Sequence, residues 1–215
     1  IGMDHTQYLG NTLGAIAGEK AGIIKQNVPV VIGEYVDETR AVFKSKAAGC
    51  NSKIFFASDE DLPNYDSDLK GDYQSANKKT VQVAIKVLKD RYDFKISERN
   101  IKSGLLNVVE NTGLLGRWQR LNSNPTVICD TAHNFHGLSI VIKQILNTKY
   151  DRLHIVLGFV NDKKLDDILP LFPKNATYYF CAPNNERALS QVLLQTEARK
   201  LQLDGEAYNS VSDAY

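Results

Sequence analysis

A chain of 215 residues with 43% hydrophobic and 24% charged residues is long enough for one large or two small domains and too balanced for wholesale disorder. Its net charge of +1 leaves no broad electrostatic footprint for nucleic acid or an anionic membrane, and its longest apolar runs, such as Leu153 to Val160, fall far short of the ~20 residues of a spanning helix. Cys50, Cys129 and Cys181 are widely separated with no Cys-x-x-Cys pair, and they read as reduced thiols of a cytoplasmic protein.

The first 25 residues carry the densest chemistry. The chain opens at Ile1 with no initiator methionine, its one methionine is Met3, and no signal-peptide pattern precedes it; this reads as the interior of a longer protein. Asp4 and His5 follow what reads as the end of a strand. A glycine- and threonine-marked turn comes next, then a short helix that delivers Glu19 and Lys20 before an apolar stop. An imidazole and a lysine on rigid neighbouring elements suit a metal and a phosphorylated ligand. Taken singly, a histidine placed like His5 is more often a hydrogen-bonded structural residue than a ligand, and a lysine placed like Lys20 more often solvated or complementing the helix dipole.

Further along, Val28 to Glu34 is a short β-branched strand. Asp37 to Gly49 has helical spacing and ends on a glycine suited to a C-cap. Lys53 to Ser58 is another strand, and the polar segment after it is a loop with room for one edge strand. A long helix is predicted from about Ser75 to Tyr92, with Val81, Ala84, Ile85 and Leu88 along its apolar face. At its start, a glycine turn leads to Gln74 and Asn77, three residues apart on one face. The Asn77 amide suits an adenine edge, or simple capping of the helix. A second capped helix begins after Ser97 with Glu98 in its first turn, and the two glycines of Asn111 to Gly116 break the pattern. A domain boundary is expected there, between residues 113 and 114.

The second half is a βα series. Pro125 to Asp130, Leu153 to Phe159 and Ala176 to Ala182 read as strands; Leu138 to Leu146, Lys164 to Phe172 and Arg187 to Gln202 read as helices. Buried strands alternating with helices predict an α/β domain with a mostly parallel sheet covered on both faces. The last four residues look like the opening turn of another helix. Asp130 ends its strand, and His133 and Asn134 sit in the turn that opens the next helix, where parallel sheets bind ligands. Arg117, from the preceding loop, suits phosphate oxygens. The plainer alternative has Asp130 and Asn134 capping the helix and Arg117 solvated. His133 and His136 form H-x-x-H without the further ligands of a zinc site. These residues contain no Walker-type phosphate loop, no G-x-G-x-x-G after a strand, and no G-x-S-x-G elbow.

Taken together and in order, GMDHTQYLGNTLGAIAGEKAGIIK, GDYQSAN, GLLGRWQ, DTAHNFHG and GFVNDKKLDDIL resemble the folylpolyglutamate synthase/dihydrofolate synthase family of the Mur ligase superfamily, over essentially the whole chain. The resemblance implies the last part of a Mur-ligase-type nucleotide-binding α/β domain, residues 1–113. It implies a Rossmann-like C-terminal domain, residues 114–215, truncated at its end. It implies an ATP-dependent ligase that adds L-glutamate to dihydropteroate or folate through an acyl phosphate, by positioning and charge neutralisation. On this resemblance His5 binds magnesium, and Lys20, desolvated enough to lose its proton, becomes a carbamate holding a second ion. Asn77 lies near the adenine, Arg117 faces phosphate, Asp130 faces the ribose, and His133 lies near the reacting phosphate and the incoming glutamate.

Two departures stand out: Phe135 where the family often has proline, and Thr131 where glycine is frequent, read as a mild change. The family's phosphate loop and its glutamate ligand to magnesium would precede Ile1. The chain alone is therefore expected to bind ATP weakly and catalyse nothing. Open sheet edges in the first ~110 residues imply a dimer or disorder there, against a monomeric parent. Rival readings are a Mur-type ligase acting on peptidoglycan precursors and a non-catalytic binding relic. The GRWQ and IAGEKAGI stretches lean toward the folate branch.

Overall fold

The computed structural model describes residues 2, 3 and 6–215. Asp4 and the candidate metal-binding His5 lie outside the described residues. The chain divides into two compact units, Ile1–Thr131 and Ala132–Tyr215.

In the first unit, α1 (Thr6–Leu9) leads through Gly10, at φ 93°, into α2 (Leu13–Ala21). The Thr12 side chain caps α2 by accepting the Ala15 N–H at 3.1 Å. A βαβ unit follows: β1 (Val30–Ile32), α3 (Asp37–Gly49) and β2 (Ile54–Phe56), with β1 and β2 parallel and Val30 opposite Ile54. Ala17 and Ala21 of α2 pack with Ile24, just beyond that helix, and with Phe43 of α3 in one buried cluster. Small residues on α2 let the two helices approach closely, and Gly14 N–H donates to Glu38 at 2.7 Å beside that contact.

Gly49 is not the cap expected of it. It is the last helical residue, and the left-handed position falls on Asn51, at φ 46°. Ser52 N–H then returns to the Ala47 carbonyl at 2.8 Å and Asn51 N–H to Ala48 at 3.0 Å. That pairing is a Schellman turn, and asparagine tolerates the left-handed conformation well enough to close it.

The segment between β2 and the next helix forms a short 3-10 turn (Ala57–Asp59) and no strand. It is tied to α4 (Gln74–Tyr92): Lys78 Nζ donates to Asn64 and to the Tyr65 carbonyl, and Gln82 donates to the Pro63 carbonyl. These contacts explain why α4 buries Gln82, Val83 and Val87 while Val81, expected on its inner face, is 44% exposed. A buried glutamine serving a loop carbonyl turns the inner stripe away from the most apolar one. Next come α5 (Glu98–Leu106), capped by Ser97 as expected, and α6 (Val108–Thr112), which ends on Gly113 at φ 67°. The unit closes with a hairpin absent from the sequence expectation: β3 (Gln119–Ser123) antiparallel to β4 (Thr126–Cys129).

The second unit starts with α7 (Phe135–Leu146), capped by Asn134. Its sheet is parallel, in the order β5 (His154–Leu157), β6 (Thr177–Cys181), β7 (Gly205–Tyr208). The helices α8 (Leu165–Ile168) and α9 (Gln191–Lys200) follow β5 and β6, and α10 (Val211–Ala214) is the helical turn expected at the end. The core gathers Leu138, Ile142, Leu157, Tyr178, Phe180 and Leu194 from these elements. The other sheet face is less covered than expected: Val156 is 39% exposed there, beside a His154–Tyr179–Tyr208 aromatic row. β7 escaped prediction because its four residues include a glycine and a charge, yet Gly205 is sterically required. A Cβ on it would lie 2.0 Å from the Tyr178 carbonyl oxygen.

Candidate functional site

The site is built where the start of α4 meets the end of β4. Gly71 N-terminal to α4 is buried, and a Cβ there would come within 2.6 Å of the Tyr73 ring. Glycine at 71 is what admits that ring. Gln74 N–H then closes the turn on the Gly71 carbonyl at 2.9 Å. Asn77 sits in the first turn of α4, with its amide nitrogen donating to Gln74 Oε1 at 2.9 Å. It lies one turn on from Tyr73, on the same face of the helix.

Opposite stands Asp130, directly after β4. The Tyr73 hydroxyl donates to Asp130 Oδ2 at 2.8 Å, and the Trp118 backbone N–H donates to the same oxygen at 2.7 Å. Trp118 adopts φ 50°, a left-handed conformation that costs a bulky residue about 1–2 kcal/mol. A short hydrogen bond to a carboxylate offsets that cost. Tyr73 is half-buried; burial first, and the Asp130 carboxylate second, raise its phenol pKa above the ordinary value. The hydroxyl therefore stays a donor at physiological pH.

The loop before β3 is shaped to deliver these groups. Gly116, at φ 70°, accepts the Thr131 N–H at 3.0 Å, and its own N–H donates to Gln119 Oε1 at 2.9 Å. Thr131 is no mild replacement for glycine. Its hydroxyl donates to the Gly116 carbonyl at 3.1 Å and accepts from the Arg117 guanidinium, and its methyl occupies the space a Cβ on Gly116 would need. Arg117 is half-buried and folded onto its own loop, with a further contact of 3.3 Å to the Gly116 carbonyl. It is not the solvated charge of the plainer reading.

Capping of α7 falls to Asn134, which accepts the Gly137 N–H at 2.8 Å. Asp130 accepts from Tyr73 and Trp118, and Asn134 caps α7 through the Gly137 N–H. His133 is exposed in the turn before α7, within the second unit. Lys20 is exposed in the last turn of α2. The structure therefore brings Asn77, Asp130 and Arg117 to one place. It adds Tyr73 and Trp118, which sequence reasoning passed over; a tyrosine next to a helix start carries no signal of its own until its cross-chain partner is seen. No group of three or more His, Cys, Asp or Glu side chains able to hold a metal occurs among the described residues. The described residues alone therefore do not make a metal cage.

A family model, the glutamate ligase domain of the Mur ligases, matches residues 116–215. The folylpolyglutamate synthase of Lacticaseibacillus casei is 28% identical over 89% of this chain and 49% of its own length. The dihydrofolate synthase/folylpolyglutamate synthase of Escherichia coli is 25% identical over 100% of this chain and 51% of its own. The chain spans about half the length of these curated relatives. Among solved structures, Mycobacterium tuberculosis folylpolyglutamate synthase complexed with ADP and AMPPCP superimposes with a TM-score of 0.84 at 23% identity, covering 100% of this chain and 54% of that one. That likeness is one of fold, including the parallel sheets.

Proposed function

We infer, from a chain whose residues 116–215 match the model of the Mur ligase glutamate-ligase domain and whose relatives are folylpolyglutamate and dihydrofolate synthases, that it supplies the nucleoside grip and amino-acid domain of an ATP-dependent ligase. The reaction joins L-glutamate to dihydropteroate or folate through an acyl phosphate. The observation that carries this reading is the Asp130 carboxylate, which accepts from Trp118 N–H and from the hydroxyl of Tyr73, a residue one helical turn from Asn77. A fixed carboxylate suits ribose hydroxyls, and an amide with both a donor and an acceptor suits an adenine edge.

Arg117 is the phosphate-facing cation. In this role it leaves Thr131 and the Gly116 carbonyl for a better acceptor, since a guanidinium pairs more strongly with phosphate oxygens than with neutral ones. His133 lies near the transferring phosphate and the incoming amine. Magnesium supplies charge neutralisation when bound; His5 and a carbamate on Lys20 are its proposed ligands in this chain. Carbamylation consumes a neutral amine, and burial is what neutralises a lysine. Lys20 is exposed here, so this role requires bound ligands to cover it. A carbamate signal with 13C-bicarbonate, present with ligands and absent in Lys20→Ala, is the expected result.

The border between the two family domains is placed at residues 113 and 114. The left-handed Gly113 and the family match from residue 116 support it, while packing groups the β3–β4 hairpin with the first unit. Three free cysteines suit a reducing, cytoplasmic compartment, and among the described residues no helix is long and apolar enough to cross a membrane.

These 215 residues hold no phosphate loop. The chain alone is expected to bind ADP weakly and to release no phosphate from Mg-ATP with glutamate and dihydropteroate or folate. The protein extended to the length of its relatives is expected to turn over with the pterin substrates and not with nucleotide-linked peptidoglycan precursors. Turnover by the 215-residue chain overturns its expected inactivity, and a preference of the longer protein for the peptide precursors overturns the folate assignment.

A further inference from the structure

We propose that Tyr73 is a positioning residue, whose hydroxyl sets the Asp130 carboxylate for the ribose; this rests on the nucleotide reading above. A carboxylate on a single-bonded stem rotates freely unless something stops it. Here Tyr73 Oη at 2.8 Å and Trp118 N–H at 2.7 Å both donate to Oδ2, from different sides of the chain. Two donors converging on one oxygen fix the plane of the group and the direction of its second oxygen. The Trp118 donor is backbone and comes with the strand. The Tyr73 donor is a side chain that reaches from α4 across to β4, and phenylalanine would fill the same space without it.

The placement of Tyr73 on its own element is what gives the contact meaning. Tyr73 is the residue immediately before α4, with φ −64° and ψ −14°, already helical. Asn77 is four residues on and therefore stacked over it, about one helical pitch away. One rigid turn thus carries the base-facing amide and the hydroxyl that orients the sugar-facing carboxylate. Gly71 keeps the ring in that position by leaving it room. The two halves of a nucleoside are indexed to each other through Tyr73, although Tyr73 itself need touch neither.

The test is binding of ADP and of its 2′,3′-dideoxy analogue to the 215-residue chain, followed by ligand-observed NMR. Tyr73→Phe is expected to weaken ADP about tenfold, the size of a hydrogen bond to a charged group. The same variant is expected to change the dideoxy analogue by less than about twofold, because there is no ribose hydroxyl for the carboxylate to meet. Equal losses for both nucleotides would reduce Tyr73 to a structural role and overturn the proposal, as would unchanged ADP affinity. Should Tyr73→Phe lose its cooperative melt, Tyr73→His provides the comparison, retaining a ring and an N–H donor. It is expected to hold ADP within about threefold of wild type, and a loss as large for the dideoxy analogue as for ADP counts against the proposal. Absence of ADP binding by the wild-type chain is a different failure: it sinks the nucleotide reading itself, before any variant is made.

Discussion

At the scale of single residues, what could be read in advance was whatever announces itself by type. Asp130 at a strand end and Asn77 in a first helical turn stand out because polar groups at those positions have few jobs. Tyr73 did not, and Thr131 was read only as a mild change, because their roles depend on atoms 57 and 15 residues away. Gly205 is the same kind of case: nothing local demands glycine, but the Tyr178 carbonyl leaves no space for a Cβ. Backbone cannot yield as a side-chain tip can, so Gly205→Ala is expected to cost about 3 kcal/mol, at the upper end for overpacking, measured by urea denaturation. Alkaline pH offers a second test. Burial raises the pKa of Cys181, of Tyr178 and, together with Asp130, of Tyr73. In the folded state each keeps its proton above the pH where the unfolded chain loses it. Their contribution is whole below about pH 8.5, where unfolded cysteine titrates, and is lost as pH rises through the folded values. The melting temperature is expected to fall from about pH 9, and Cys181→Val to blunt the first part of that fall.

At the scale of elements, helices and strands with strong periodicity or caps were readable nearly to their ends, as with α3 and the Ser97-capped α5. The errors came where tertiary partners outvoted local pattern. The inner face of α4 is turned because Gln82 is buried against the Pro63 carbonyl. The β3–β4 hairpin hid in a stretch of polar residues, four of whose five β3 positions are exposed. The tie between α4 and the preceding segment can be weighed directly. Lys78 holds Asn64 at 2.7 Å and the Tyr65 carbonyl at 2.6 Å. Lys78→Met keeps the stem and removes both bonds; a loss of about 1–2 kcal/mol in urea denaturation is expected, with the helix content unchanged by circular dichroism.

At the scale of the whole molecule, composition and alternation of elements were enough for an α/β chain, because buried parallel strands leave few other ways to arrange themselves. What they could not reveal is how much sheet remains unpartnered. Among the described residues β1 and β2 form a sheet of two strands, which is marginal by itself and presents unpaired backbone along both edges. The 215-residue chain is therefore expected to self-associate as its concentration rises, with light scattering after size exclusion giving a mass near that of a dimer. Proline placed at Val30, whose N–H donates to the Lys53 carbonyl at 3.0 Å, is expected to weaken the β1–β2 pair without restoring a monomer through any new contact. A concentration-independent monomer contradicts the open-edge account.

The stretch between the 3-10 turn and α4 has no helix or strand, which ordinarily marks a place for digestion. Its backbone, however, is fastened by Lys78 and Gln82 on one side, and on the other by Asp68, whose N–H meets the Leu105 carbonyl while its carboxylate takes the Val109 N–H. Irregular shape and looseness are separable here. Trypsin should nick Lys70 slowly despite the absence of regular structure around it, and amide deuteration at Asp68 should lag behind that of exposed turns.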